Sequence, residues 1–402
     1  MLSGLRTALA GQLTRAELRA CAALALVSLL FSGAIFAAMF KQKLVSDQLL
    51  HASVVQAVIR THELPGDFLF YLTTAATAGF QATRVVVEVA MSAVLAAAVA
   101  AKVLMSAGIA LEAHHAPTPL SRRSLLGLVL AVALLSVAFS LPTSTVYLGQ
   151  LPPNVWHNPT TIFVMPFVVA LFWFTLCFLR DGERKWLWAA TVVGALNIAA
   201  KPSFVLCVLV VFPPFVLARF GLRRPFWEAL AAMAFLALLV GAQYLYIFQT
   251  SSETAIYHAA GFAGDANSHV RIQPFHVWSH YSESVPLSLL ASLFFPLVTL
   301  ATYRRLLLQS ELVRYALALS AVGVVIFATL AETGVREFHG NFAWQAMMCN
   351  YVLFLAVLIR VWELGRVRRM TIRRAAVGLS FGAHVVAGVV FLVYYFAKGT
   401  YF

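Results

Sequence analysis

Long apolar runs alternate with shorter polar segments along the whole chain. Each run is about 20 residues long, which is the length a helix needs to cross a bilayer, whereas membrane β-strands are about 10 residues long and alternate in polarity. The pattern therefore predicts an all-α, polytopic integral membrane protein that forms a single transmembrane domain over residues 1–402. We expect about eleven spans, at residues 21–40, 84–111, 124–142, 160–179, 186–200, 203–219, 226–248, 285–303, 313–331, 343–363 and 375–396.

Two of the apolar runs, 186–200 and 203–219, are shorter than a perpendicular span requires. They flank Lys201 and Pro202, and we expect them to form a tight pair around these two residues. Lysine in such a setting either extends its ammonium group to the membrane surface or binds an anionic ligand. A phosphate group is one such ligand, so Lys201 is a candidate phosphate-binding residue.

Composition and charge give the predicted topology its orientation. The chain is 61% hydrophobic and 11% charged, whereas globular domains are about 25% charged. Lys and Arg cluster on the short connections of one side, which the positive-inside rule assigns to the cytoplasm. The N-terminal segment, which holds Arg6, Arg15 and Arg19, is assigned to the same side. The net charge of +13 is therefore topological, and no nucleic-acid partner is needed. We predict a multi-pass protein of the plasma (inner) membrane.

The opposite side of the predicted topology carries the long polar segments. These are the first outer loop 41–83, with juxtamembrane helices, and the outer loops 143–159, 249–284 and 332–342. They hold most of the eleven histidines and half of the sixteen carboxylates. A functional site is therefore expected on this outward face, periplasmic or extracellular.

The first outer loop contains the strongest pair of polar residues. Ser46 is predicted to cap a helix with Asp47 in its first turn, and His51 follows four residues later on the same face. The plain interpretation is a helix cap beside a solvated histidine. The functional interpretation is a carboxylate that accepts a proton from an incoming hydroxyl or holds a divalent metal. The following segment, 68–80, is apolar but too short to cross the membrane.

Asp47, His51 and the later sequence HELPGDFLFYLTTAA resemble the first outer loop of GT-C type glycosyltransferases. The resemblance is specific over 46–80 and general in topology elsewhere. It implies a GT-C-like fold and transfer of a sugar from a polyprenyl-phosphate-linked lipid donor to a cell-envelope glycan or glycolipid acceptor. It further implies Asp47 as the catalytic carboxylate, which we expect His51 to orient. The expected cofactor is either none or a divalent cation, Mg²⁺ or Mn²⁺, for which Asp47 is the candidate ligand.

Other outer residues are candidates for binding the donor. Arg271, Arg336 and His339 are cations near the membrane, and an arginine fork can hold a phosphate through two hydrogen bonds. Each of them alone also fits an ordinary surface charge.

Aromatic residues of the outer loops are candidates for contacting the sugar. The turn Trp156–His157 precedes Asn158 and Pro159, which are predicted to start the next helix. Trp156, His157, Trp278 and Trp344 either anchor the chain at the membrane interface or contact the sugar.

Two other functions remain open on the sequence. A polymerase or ligase of lipid-linked oligosaccharides would depend on Arg271 and Arg336 rather than on Asp47. A glycolipid transporter or flippase would place polar residues along the spans, which contain few. The chain has no GxxxxGK[ST] or HExxH motif, so ATP-driven transport and zinc-dependent proteolysis lose support.

Overall fold

The computed structural model describes residues 14–113, 119–133, 135–141, 144–249, 251–261, 268–365 and 371–400. Arg6, which contributed to the predicted orientation, lies outside these ranges, as do parts of the predicted span 124–142 and of the loop 249–284. The described helices are α1 Arg15–Gln42, α2 Gln48–Thr61, α3 Phe68–Thr77, α4 Arg84–Ala113, α5 Pro119–Val132, α6 Pro159–Asp181, α7 Arg184–Ala200, α8 Ser203–Phe220, α9 Arg224–Gln249, α10 Ser251–Ala259, α11 His276–Tyr281, α12 Val285–Leu308, α13 Glu311–Thr329, α14 Trp344–Gly365 and α15 Ile372–Lys398. Two short strands, β1 Val270–Ile272 and β2 Leu330–Glu332, and the 3₁₀ turns Gly334–Arg336 and Asn341–Ala343 complete the described elements.

Nine helices of the described part are long and apolar enough to cross a membrane. They are α1, α4, α6, α8, α9, α12, α13, α14 with the 3₁₀ turn before it, and α15. The protein is therefore an all-α, multi-pass membrane protein, as the apolar pattern predicts. Two of the expected spans, 124–142 and 186–200, are not among these nine.

The pair of helices around Lys201 and Pro202 forms as predicted. Helix α7 ends at Ala200, and α8 begins at Ser203. Lys201 is extended, at φ −173° and ψ 115°, because a following proline disfavours the helical conformation. Lys201 therefore lies between the two helices and belongs to neither.

The predicted span 124–142 is wrong as one continuous helix, because α5 ends at Val132 and the residues 135–141 have no helical structure. The Nδ2 group of Asn154 donates hydrogen bonds to the carbonyl oxygens of Val132, at 2.6 Å, and Leu135, at 3.2 Å. Carbonyls at the end of a helix lack a partner within the helix, so a side chain from elsewhere in the chain replaces the missing bonds.

His384, on α15, binds the same non-helical segment from the other side. Its Nδ1 atom lies 2.7 Å from the carbonyl oxygen of Ser136, and its Nε2 atom accepts the backbone N–H of Phe295 at 3.3 Å. Because a carbonyl only accepts and an amide only donates, the ring is the neutral tautomer with its proton on Nδ1. Non-helical backbone at membrane depth requires partners within the protein, and the His384 ring supplies one to Ser136 while its other nitrogen binds Phe295 of α12.

The spans pack around α6 and α14, which are the most deeply buried, whereas α9 lies at the periphery. Helix α1 packs on α4, α4 packs on α6, and α13 packs on α14. Hydrogen bonds connect the segments 43–83, 144–158 and 330–343 with the described parts of 251–284, and these segments gather at one end of the bundle. We call this the loop end.

The segments of the loop end are joined through their backbones. Strands β1 and β2 pair antiparallel, with Val270 opposite Glu332. A further antiparallel bridge connects Ser144 to Ser282. The sequence pattern predicts neither contact, and together they hold the loops as walls around a common space.

Candidate functional site

A cavity of about 780 Å³ lies at the loop end. This volume is within the range of about 300–1,000 Å³ that small-molecule sites occupy. All four loop segments contribute to its walls, and the segment 144–158 supplies Tyr147, His157 and Asn158 among others. Its polar lining residues include Asp47, His51, Asp67, His157, Asn158, Thr160, Lys201, Glu332, Arg336 and His339.

Asp47 is held by an asparagine from the next loop. Helix α2 begins at Gln48, so Asp47 rather than Ser46 occupies the capping position, and its side chain caps no backbone amide. Instead, the Oδ2 atom of Asp47 accepts a hydrogen bond of 2.8 Å from the Nδ2 group of Asn158. The carboxylate predicted from the sequence therefore lines the cavity, and one of its oxygens is hydrogen-bonded to the next loop.

The orientation of Asn158 is fixed by the helix that follows it. Its Oδ1 atom accepts the backbone N–H of Thr161 at 3.0 Å, which caps α6, and Pro159 occupies the first helical position. The predicted helix start at Asn158 is confirmed. Because Oδ1 is directed at the helix, Nδ2 is left to donate to Asp47.

Lys201 turns into the cavity rather than to an outer surface, with its side chain only 9% exposed. Its Nζ atom donates to Thr160 Oγ1 at 2.9 Å and to Asn158 Oδ1 at 3.4 Å. The ammonium also lies 5.4 Å from the centre of the Trp344 ring. Within the described residues no carboxylate lies within ion-pair distance of it, so Lys201 keeps an ammonium without a direct counter-ion.

Burial shifts the pKa of Lys201 down to about 8. The charges of Asp67, Asp47 and Glu332 act in the opposite direction and favour the protonated form. An anionic ligand in the cavity would add to that effect and hold the ammonium protonated.

His51 makes its hydrogen bond with Tyr71 rather than with Asp47. Its Nδ1 atom lies 2.6 Å from the hydroxyl of Tyr71, which comes from α3. Burial lowers the pKa of His51 to about 4, although the charge of Asp47 partly opposes this shift. The expectation that His51 orients Asp47 is therefore corrected, because Asn158 makes that contact and His51 is neutral near pH 7.

His157 belongs to an aromatic wall of the cavity. Its ring centre lies 4.2 Å from that of Tyr147 and 5.6 Å from that of Trp344. Burial lowers the pKa of His157 to about 4. A neutral imidazole between two aromatic rings offers a flat surface with polar edges, which suits a ring-shaped polar ligand.

Arg336 lines the cavity from the 3₁₀ turn that follows β2. Its Nε atom is 3.2 Å from Glu332 Oε1, and its guanidinium lies 5.3 Å from the centre of the Phe248 ring. Glu332 also accepts a hydrogen bond from Asn341. Arg336 is thus partly neutralised, which distinguishes it from Lys201. His339 lines the same wall, where burial lowers its pKa.

Asp67 also lines the cavity, although the sequence did not single it out as a site residue. It directly precedes α3, and the turn before it is held by α9. The Gln243 amide donates to the carbonyl oxygen of Gly66 at 2.7 Å, and the Tyr246 hydroxyl donates to that of Leu64 at 2.5 Å. In the sequence, the one indication that Asp67 belongs to the site is its position in the same loop as Asp47. The sequence does not reveal which carboxylates of that loop face the cavity.

Three of the predicted binding residues lie outside the cavity. Arg271 is exposed on β1 and does not line it. Trp156 is buried against Phe36 of α1, and Trp278 donates its ring N–H to the carbonyl oxygen of Gly149 at 2.7 Å. Both tryptophans serve packing, whereas Trp344, the third tryptophan considered for the sugar, lines the cavity.

The described residues contain no group of three His, Cys, Asp or Glu side chains arranged to hold a metal ion. Asp47 and Asp67 are the carboxylates that a cation beside Lys201 would use, and the ammonium would compete with it. The divalent cation expected from the resemblance therefore stays a prediction.

No protein-family model, curated protein or solved structure matches this chain. Function is therefore inferred from the geometry of the cavity together with the resemblance of its first loop.

Proposed function

We propose that this protein is a GT-C type membrane glycosyltransferase that transfers a sugar from a polyprenyl-phosphate-linked donor to a glycan or glycolipid acceptor of the cell envelope. One observation carries the proposal. Asp47 and the buried ammonium of Lys201 meet at the two ends of the Asn158 side chain within one large cavity. The cavity thus brings a carboxylate and an ammonium without a direct counter-ion to the same side chain, and the transfer needs a negative and a positive group.

Each part of the reaction has a matching group in the cavity. The carrier phosphate leaves with increased negative charge, which Lys201 and Arg336 would stabilise. The acceptor hydroxyl gives up a proton, which a carboxylate of the first loop takes; the resemblance implies Asp47. The wall formed by Tyr147, His157 and Trp344 suits a sugar ring.

The surroundings of the cavity fit a lipid substrate. Val240, Tyr244 and Phe248 line it from α9, the least buried of the nine apolar helices. An isoprenoid chain would lie along this helix while its phosphate reaches Lys201. With the N-terminus in the cytoplasm, the loop end would open on the outer face of the plasma membrane.

The other two functions receive less support. A polymerase or ligase that uses Arg271 together with Arg336 is disfavoured because only Arg336 lines the cavity. A transporter needs a polar path through the spans, and the cavity is confined to their loop end.

Donor turnover tests the proposal directly. Purified protein in nanodiscs is incubated with a panel of polyprenyl-phosphate sugars, with and without EDTA, and release of the carrier phosphate is measured. We expect turnover by the wild type and at least a tenfold weaker use of donor by Lys201→Met. Lys185→Met is the matched control, because this lysine is exposed and paired with Glu183 far along α7 from the cavity.

Three outcomes are decisive for the alternatives. Loss of turnover in EDTA adds a divalent cation to the site. Full activity of Asp47→Asn and Lys201→Met, with loss in Arg271→Gln, favours the polymerase or ligase. If no donor turns over while a fluorescent glycolipid crosses proteoliposomes, the protein is a transporter.

A further inference from the structure

We propose that Asp67, rather than Asp47, is the catalytic base that takes the proton of the acceptor hydroxyl, and that Asp47 is a positioning residue for Asn158 and Lys201. This inference rests on the proposed glycosyl transfer and deepens it. It changes which of the two cavity carboxylates does the chemistry.

The two carboxylates differ in how their oxygens are occupied. Asp47 accepts the amide of Asn158, and that amide is itself fixed by the α6 cap and by Lys201. Among the described residues, no other residue donates a hydrogen bond to the Asp67 carboxylate, and its own backbone N–H favours its charged form. Asp47 is thus tied to the next loop through one of its oxygens, whereas no other side chain holds the carboxylate of Asp67.

The backbone that carries Asp67 is held in place. The carbonyl oxygens of Leu64 and Gly66 accept hydrogen bonds from side chains of α9. A Cβ atom on Gly66 would lie 2.4 Å from Cγ1 of Ile247, so the turn is packed tightly on this helix. A base must be positioned to a fraction of an ångström, and a turn tied to a long helix meets this requirement.

The charges around Asp67 also suit a base. Burial raises the pKa of Asp67, while Lys201, its own backbone N–H and Arg336 act in the opposite direction. The packed helix α9 presents only neutral groups to the turn, among them Gln243 and Tyr246. A general base is most effective when its pKa is raised toward the working pH, and the flanking cations keep it ionised before the reaction.

The proposed step balances as a direct displacement. The proton of the acceptor O–H moves to a carboxylate oxygen of Asp67 as the acceptor oxygen forms a bond to C1 of the donor sugar. The bond between C1 and the phosphate oxygen breaks, and its electron pair leaves with the carrier phosphate. The added phosphate charge faces Lys201, and Asp67 afterwards returns its proton to water.

Single-turnover rates and donor affinities of paired variants test the assignment. The donor is a polyprenyl-phosphate sugar that the wild type turns over. For Asp67→Asn we expect a rate at least about 100-fold lower with nearly unchanged donor affinity, as for loss of a general base. Asp47→Asn should weaken donor binding more than it slows the chemical step. Glu63→Gln is the matched control, because Glu63 is an exposed carboxylate of the same turn, and its rate should equal that of the wild type.

The pH dependence provides a readout that a structural role would not change. Activity should fall on the acid side as Asp67 becomes protonated, at a pH above that of an ordinary aspartate. Asp67→Glu should shift this limb, and it decides the question if Asp67→Asn does not fold. A full rate in Asp67→Asn with loss of the chemical step in Asp47→Asn overturns the assignment but leaves the glycosyltransferase intact. A wild type that turns over no donor overturns both.

Discussion

Asn158 joins three parts of the site through one side chain. Its oxygen caps α6 and lies near the ammonium of Lys201, and its amide nitrogen donates to Asp47. Serine or aspartate would cap the helix equally well, but neither carries a donor and an acceptor in one planar group. The choice of asparagine at this cap is therefore explained by the cavity as much as by the helix.

Replacing Asn158 separates its two contributions. Asn158→Ala removes a helix cap, which costs about 1 kcal/mol, and it also frees Asp47 and Lys201. Thr371→Ala is the control, because Thr371 caps α15 through its side chain away from the cavity. We expect both variants to lower the melting temperature, measured by differential scanning fluorimetry, with the larger decrease for Asn158→Ala, and only Asn158→Ala to reduce donor turnover. Equal turnover in the two variants would contradict a role of Asn158 in the site.

The residues of the site were only partly predictable from the sequence. Asp47 and Lys201 stood out because charged groups beside apolar runs are costly unless they have a role. Trp278 and Trp344 looked alike in the sequence, yet only Trp344 reaches the cavity. Which aromatic or acidic side chain points inward depends on contacts between loops, and these contacts leave no local pattern.

At the scale of elements, the sequence located the helices better than their interruptions. The residues after Val132 are apolar and read as a continuation of the helix. The helix nevertheless ends there, and Asn154 and His384 donate hydrogen bonds to the carbonyl oxygens of Val132 and Ser136, which a continuing helix would bond to its own backbone. Both partners are remote in sequence, so hydrophobic periodicity alone does not reveal the break.

His384 is expected to be essential for the stability of this non-helical crossing. His384→Leu keeps the side-chain bulk but leaves the carbonyl of Ser136 and the N–H of Phe295 buried without a partner, at about 1–3 kcal/mol for each group. Ser380→Ala, one turn away on α15, removes only a bond to the nearby carbonyl of Val377 and serves as the control. Denaturant unfolding in detergent should show a clear loss for His384→Leu and almost none for Ser380→Ala. Similar losses would mean that the crossing does not depend on this imidazole.

The contact between the Gly66 turn and α9 allows a compensation test. In Gly66→Ala the new methyl group meets Cγ1 and Cδ1 of Ile247, at 2.4 and 2.7 Å, so that either the Ile247 side chain or the turn that carries Asp67 must move. Ile247→Ala removes both atoms and makes room for the methyl group. We therefore expect Gly66→Ala to lower donor turnover at least tenfold, and the double variant to recover most of it. No recovery would indicate that the glycine is needed for another reason.

For the whole molecule, the sequence was sufficient to predict the class of protein but not the number of spans. Length and hydropathy set the class, because about 20 apolar residues are needed for each crossing. The two spans that are missing from the nine correspond to α5 and α7. Helix α7 ends directly before Lys201, which lines the cavity, whereas no described residue of α5 is among the lining residues.

Acid should destabilise the whole fold through its buried histidines. The pKa values of His51 and His157 are lowered from 6.5 to about 4, chiefly by burial. Between these values the unfolded chain binds more protons than the folded one, so stability falls as the pH drops through this window. We expect the melting temperature in detergent to decline over that range, and less steeply in the double variant His51→Gln and His157→Gln. Above about pH 7 both histidines are neutral in either state, so the two proteins should there show parallel curves. Parallel curves at acid pH as well would mean that other groups control acid unfolding. A flatter acid limb in the double variant would show that the folded state requires neutral imidazoles in the cavity wall.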